Sequence, residues 1–156
     1  MSAIFDCYDL TAVGLSVDDN MRAELCAATV ENTAAAYPEF CGAVPHADRR
    51  IQYTSASYRA ALNEYGVKQS MNSAGGRCHD NARCESMWAR MKNELFYSRG
   101  RRSTDYTTEQ LKTMIWRYYM SYWNNRRICS SIGGMPPAEK RRRYYSDKTG
   151  KSAAAM

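Results

Sequence analysis

Two carboxylates, Asp48 and Glu85, sit in settings that suit chemistry. Asp48 follows a short apolar run, Cys41 to Val44, and is succeeded by polar and turn-forming residues, the pattern of an acid at the end of a buried strand. Glu85 lies in a segment that no proline or glycine interrupts between Asp80 and Gly100. At helical spacing Cys84, Met87, Met91 and Leu95 form one apolar stripe, and Asn81, Glu85, Trp88 and Lys92 form an adjacent one. The spacing predicts a helix with a buried face and a working face, capped by Asp80 or Asn81. Thirty-six residues separate the two acids. That interval holds a helix (Ser55 to Tyr65), a strand (Val67 to Met71) and a glycine loop (Ala74-Gly75-Gly76), enough chain to bring the acids together around a divalent metal.

The remaining elements must position this pair. Ala3 to Tyr8 and Ala12 to Val17 read as a β-hairpin turning at Asp9-Leu10-Thr11. A helix follows from about Met21 to Tyr37, with Asp18, Asp19 and Asn20 as cap candidates and Pro38 as the stop. Its apolar side is Met21, Leu25, Ala28 and Ala35, an alanine-rich face fit for close packing on a sheet. Cys41 to His46 is the next strand. Strand and helix alternate here, which predicts an α/β sheet with parallel pairing and functional residues at the strand ends. A long helix starts near Thr108, with Leu111, Met114, Ile115, Tyr118 and Tyr122 in 3.6-residue register and Trp116, Tyr119 and Trp123 off that stripe. Ser98 to Ser103 is a basic turn, and Lys140 to Arg143 is a four-residue basic run suited equally to phosphate contact and to solvent.

Charge is divided unevenly along the chain. Residues 1–48 hold eight acids against one base (−7), and residues 49–156 hold twenty-one bases against eight acids (+13), giving the overall +6. Such asymmetry fits attraction to a phosphate backbone with release of its condensed counterions. Six cysteines without paired close spacing argue against a disulfide framework and a zinc ribbon, so Cys78, His79 and Cys84 are not read as a zinc site. No apolar run approaches membrane-spanning length and no signal peptide precedes the first strand, so a cytoplasmic protein with no membrane partner is expected.

Four ordered segments carry a family resemblance: His46-Ala47-Asp48-Arg49 through Gln52-Tyr53-Thr54-Ser55; Tyr65 to Met71; Asp80-Asn81-Ala82 with Glu85-Ser86, Lys92 and Glu94; and Tyr122 to Arg127 running on to Pro137-Ala138-Glu139. From about residue 3 to residue 145 the chain resembles DDE transposases of bacterial insertion sequences, whose catalytic core is similar to that of retroviral integrases. The resemblance implies an α/β, RNase H-like integrase catalytic core over residues 1–127, lacking its first strand. It is followed by a basic C-terminal extension, helical in part, over 128–145 and a disordered tail over 146–156.

The same resemblance makes Asp48 and Glu85 the second and third of three catalytic, metal-binding acids. They would hold Mg2+ or Mn2+ in a two-metal site expected only in an intact enzyme, where two ions about 3.5–4 Å apart stabilise the attacking and leaving oxygens of a phosphodiester. Asn81, Lys92, Gln52, Tyr53, Arg126 and Arg127 are the implied contacts to DNA, both transposon ends and target. The first acid has no counterpart, since Asp6 and Asp9 fall on the segment matching the family's second and third strands. Arg50 stands where the family usually has glycine, Cys129 where it usually has histidine, and the loop before Glu85 is one residue longer than usual. The expectation is a transposase fragment for DNA integration and transposition, from a family that performs metal-dependent phosphodiester cleavage and strand transfer. Alone it is expected to be inactive and marginally folded. The alternative is a non-catalytic nucleic-acid-binding or regulatory protein that interferes with a full-length transposase, as a homo-oligomer or by co-assembly with it.

Overall fold

Ser2–Phe5 (β1) and Ala12–Ser16 (β2) form the antiparallel hairpin, with Ser2 opposite Ser16 and an irregularity after Ile4 that sets Phe5 opposite Ala12. The turn closes where Asp6 N–H donates to Thr11 O (2.9 Å) and Leu10 N–H donates to Asp6 O (3.0 Å), with Leu10 at φ +65°. The computed structural model describes residues 1–72 and 81–153, which outline a mixed α/β chain.

Helix α1, Ala23–Ala36, lies on this hairpin. Its buried face is Cys26, Ala27, Thr29, Val30, Thr33 and Ala34, while Met21 and Ala35 are exposed. The expected stripe is therefore rotated, and the threonines explain why. Thr29 and Thr33 donate their hydroxyls to Leu25 O (2.8 Å) and Thr29 O (2.6 Å), so the helix backbone itself satisfies them and they bury as small apolar residues would. Gly14 on β2 receives them: a Cβ there would lie 1.9 Å from Thr33 Oγ1. The close packing on a sheet expected of this face is present. The expected cap residues bond locally instead, Asp19 N–H to Asp18 and the Asn20 amide to Asp19, and Arg22 holds the cap position without a side-chain bond.

Cys41 to Val44 is not a strand. A 3-10 turn, Pro38–Phe40, and Gly42 at φ +86° break the run, and only His46–Ala47 (β3) is extended, pairing in parallel with Ser70–Met71 (β4). The parallel pairing agrees with the sequence reading, but both strands are shorter than read. Val67 instead enters the core, 4% exposed. Ile51–Thr54 (α2) and Ala56–Glu64 (α3) separate β3 from β4; Ser55 caps α3 by accepting from Tyr58 N–H (3.2 Å).

Ala82–Leu95 (α4) is the predicted central helix, with Met87 and Met91 buried. The expected cap Asp80 and the glycine loop at 74–76 lie outside the described residues. Thr108–Trp116 (α5) opens with a capping box between Thr107 and Gln110 and continues as a π-helix over Arg117–Trp123. The wider π turn carries an extra residue. It advances the buried face from Tyr118 to Tyr119 and Trp123, leaving Tyr122 43% exposed. Pro137–Ala153 (α6) runs through much of the segment expected to be a tail; the pairs from Glu139 to Arg142 and Arg143, at helical spacing, and a run free of helix breakers up to Gly150 sustain it. One core gathers Met87, Met91, Ile115, Tyr119 and Trp123, and a second gathers Cys26, Val30, Phe40, Tyr58, Leu62 and Val67. Among the described residues β1 and β3 are each paired along one edge only, and no described helix is long and apolar enough to cross a membrane.

Candidate metal centre between the two sheets

A cavity of about 930 Å³ opens between β1, β3 and the first half of α4. Asp48, Gln52, Tyr53, Asn81, Glu85 and Lys92 all line it, so six of the eight predicted site residues meet in one place. Asp48 comes one residue after β3, where a short parallel ladder ends, and is partly exposed. Its carboxylate accepts from Arg50 N–H (3.1 Å) and pairs with the Arg50 guanidinium at 3.2 Å. Glu85 is exposed in the first turn of α4. Burial pushes the neighbouring Cys84 thiol up to about 11, against a hydrogen bond with Trp88, and the charges of Asp48 and Glu85 add to the rise. Cys84 is itself only partly buried and lines the same cavity as both carboxylates.

The working face that spacing assigns to α4, Asn81, Glu85, Trp88 and Lys92, lines the cavity in full. Trp88 also packs edge-on against Phe5 and Tyr119, each at 5.7 Å, so it joins that face to the core. Gln52 donates to Met21 O (3.0 Å). The Tyr53 phenol is raised by burial above its ordinary range, and its ring packs edge-on against Tyr58 at 5.3 Å; it is a wall of the cavity. Arg126 is exposed. Arg127 lies elsewhere, gripping Glu94 through two nitrogens at 2.7 and 2.9 Å and stacking 4.8 Å above Trp123. Tyr118 donates to the other Glu94 oxygen (2.8 Å). The Arg127 guanidinium is thus held in a partly buried cluster and does not line the cavity.

Two further features were not assigned from sequence. Arg141 reaches the cavity from α6, donating to Asp9 at 2.6 Å and Asp6 at 2.8 Å and lying over the Tyr37 ring. Asp6 and Asp9 are thereby committed to an ion-pair cluster. Contacts 132 and 135 residues apart leave no local trace, although the basic run marked Arg141 as one of four. His46 joins β3 to the β4 strand and the residue beyond it, with Nδ1 3.0 Å from Ser70 and Nε2 2.7 Å from Asn72; its motif alone assigns it no role.

Donor chemistry decides what the pair can hold. Among the described residues no group of three or more His, Cys, Asp and Glu side chains converges. Two carboxylates nevertheless fit Mg2+, which is ordinarily held by one or two carboxylates and completes its shell with water and phosphate oxygens. A two-metal arrangement requires an additional acid. Cys78 and His79 lie outside the described residues.

The fold and cleft define a mixed α/β protein with a carboxylate pair set at a parallel strand end and on the adjoining helix. Residues 65–137 match the family described as Integrase core domain, which implies an RNase H-like fold. Over 145 residues the chain is 29% identical to the insertion element IS600 uncharacterized 31 kDa protein of Shigella sonnei, covering 93% of this chain and 52% of that protein. It is 35% identical over 106 residues to the transposase for insertion sequence element IS629 of Shigella sonnei (67% and 33%). It is 27% identical over 139 residues to the transposase InsF for insertion sequence IS3A of Escherichia coli K12 (89% and 46%). The family match and these relatives support a transposase of the bacterial insertion sequences that carry an integrase core. It spans about half the length of these curated relatives, or less.

Proposed function

We propose that this chain supplies part of a DNA-transposing core in which Asp48 and Glu85 hold a divalent cation, Mg2+ or Mn2+, beside bound DNA. The observation that carries the reading is that both acids line one cavity together with Asn81 and Lys92. When bound, such an ion stabilises charge on the oxygens of a phosphodiester undergoing cleavage or strand transfer. Lys92 supplies a phosphate contact, Asn81 orients water or backbone, and Gln52 and Tyr53 shape the wall beside the site. Arg126 extends the positive surface, and Arg127 acts by fixing Glu94 and the C-terminal end of α4.

β1 and β3, whose residues line this cavity, are each paired along one edge only among the described residues. Each presents unpaired backbone groups of the kind an extended segment would satisfy. In this reading such a segment brings the third carboxylate, and residues 1–156 alone do not cleave DNA. The open edges also favour the second reading, a regulator that co-assembles with a full-length transposase and suppresses it without catalysis.

Mn2+ binding, followed by the loss of the free-ion electron paramagnetic resonance signal, tests the site. Binding should weaken at least tenfold in both Asp48→Asn and Glu85→Gln while the melting temperature stays within a few degrees, since exposed substitutions usually change stability by about 0.5 kcal/mol or less. Mn2+ binding that ignores both substitutions would remove the metal centre from this cleft.

A further inference from the structure

Several of the basic side chains that the sequence offers to DNA are already engaged in ion pairs. Arg127 is held by Glu94, Arg141 by Asp6 and Asp9, Arg142 and Arg143 by Glu139, and Lys112 by Glu109. The densest group that remains without an ion pair among the described residues is the turn after α4, where Arg99, Arg101 and Arg102 are exposed beside Tyr97, itself 63% exposed. The turn is built rigidly. Arg99 N–H and Arg101 N–H both donate to Phe96 O (3.0 Å each), Gly100 N–H donates to Tyr97 O (3.0 Å), and Gly100 takes φ +63°, which reverses the chain. Phe96 is 4% exposed and packs on Tyr106, whose hydroxyl meets Arg101 Nη1 at 3.1 Å. Arg102 N–H donates to Asp105 (2.7 Å), pinning the far side.

We propose that this turn is a second DNA contact, a preformed clamp for the phosphate backbone of the duplex bound at the cleft. The proposal rests on the DNA-binding reading above and extends it to residues outside the cavity. Three arginines within four residues lie no more than about 11 Å apart along the chain, about three steps at about 3.4 Å of rise per strand, room for one phosphate to each arginine. Because the turn is ordered before binding, little conformational freedom is lost on contact. The exposed Tyr97 ring adds a flat face and a hydroxyl donor for the sugar-phosphate edge. Position follows from the helix: Glu85 and Leu95 are ten residues apart on α4, about 15 Å at 1.5 Å per residue. The turn therefore grips the duplex about four to five base pairs from the carboxylates, so it governs affinity and orientation while the reacting phosphate stays at the cleft.

The test is the salt dependence of binding to a short random-sequence DNA duplex, measured by fluorescence anisotropy on the whole chain. Replacing Arg99, Arg101 and Arg102 together by Gln should lower the slope of log K against log salt by about 2 to 3, since each neutralised phosphate contributes about 0.9. Replacing the same three by Lys should restore most of the slope, which a role confined to folding would not produce. Should the Gln variant melt early, the Lys variant and the single Arg99→Gln variant, expected to lose about 0.9, decide the matter. A folded Gln variant with an unchanged slope overturns the clamp and leaves the cleft reading intact. A chain with no salt-dependent binding to DNA overturns both.

Discussion

Glu94 and Glu85 ride on the same helix nine residues apart, and their surroundings could hardly differ more. Glu94 accepts from Arg127 and Tyr118; burial works against its charge, yet these donors hold its carboxyl below the usual carboxylate range. Glu85 has no described hydrogen bond or ion pair and faces a cavity. Asp6 and Asp9 resemble Glu94, both paired with Arg141, and Asp48 stands between the two kinds, accepting from Arg50 N–H and paired only with the exposed Arg50 guanidinium. An acid whose partners are fixed contributes to folding; an acid left open is available to a cation. The contrast separates the two roles within a single residue type.

The largest effect should come from opening the most closed acid. Asp9 is 3% exposed and Arg141 is its cation. Arg141→Ala leaves a buried carboxylate unpaired, which costs about 3–5 kcal/mol, against a total stability of about 5–15 kcal/mol. Urea denaturation should show a large drop in midpoint, partly recovered by adding Asp9→Asn. A loss below about 1 kcal/mol would mean that α6 does not hold the hairpin turn.

Next comes the direct comparison along α4. Glu94→Gln should destabilise by about 1.5–3 kcal/mol, the range for hydrogen bonds to a charged group, whereas Glu85→Gln should fall within about 0.5 kcal/mol. The Glu94 carboxyl is lowered on folding, so its contribution is complete above the unfolded carboxylate range of about 4.3 and fades as pH falls through the lower folded value. Stability curves of the parent and Glu94→Gln should therefore separate at neutral pH and converge in acid. Parallel curves across that range would show that Glu94 is not ionised in the fold.

The same division explains what was legible in the sequence. The family motifs led to Asp48, Glu85, Asn81 and Lys92 and the spacing to the α4 stripe, because helix periodicity and strand ends are local. Whether an acid is open or closed is not local: Glu94 meets Arg127 across 33 residues and Arg141 meets Asp6 across 135. The motif accordingly offers Arg127 to DNA, whereas the fold commits it to Glu94. Spacing places Trp88 on the working face, where it lines the cavity, but spacing assigns an angle and not a neighbour, and its neighbours Phe5 and Tyr119 are not legible. The rotated face of α1 has another cause, threonines that bury once their hydroxyls bond back to the helix. Tyr122 and Trp123 exchanged roles because a π turn changes the period that the stripe assumes.

The smallest expected effect tests how open Asp48 is. Arg50, where the family usually has glycine, has φ −66° and ψ 151°, a conformation open to any residue, so its influence is through its side chain. That side chain is 71% exposed, and its pairing with Asp48 at 3.2 Å is a surface ion pair worth about 0–1 kcal/mol. A cation arriving at Asp48 must displace it. Arg50→Gly and Arg50→Ala should each raise Mn2+ affinity, by up to about fivefold, the equivalent of 1 kcal/mol. Glycine should in addition lower stability by about 0.5–1 kcal/mol relative to alanine through its freer unfolded chain. Raising the salt concentration should shrink the affinity gain, because the displaced pair is solvent-exposed and screened. If both substitutions leave Mn2+ affinity unchanged at low salt, Arg50 does not compete for Asp48, and the carboxylate is as open in this chain as it would be beside a glycine.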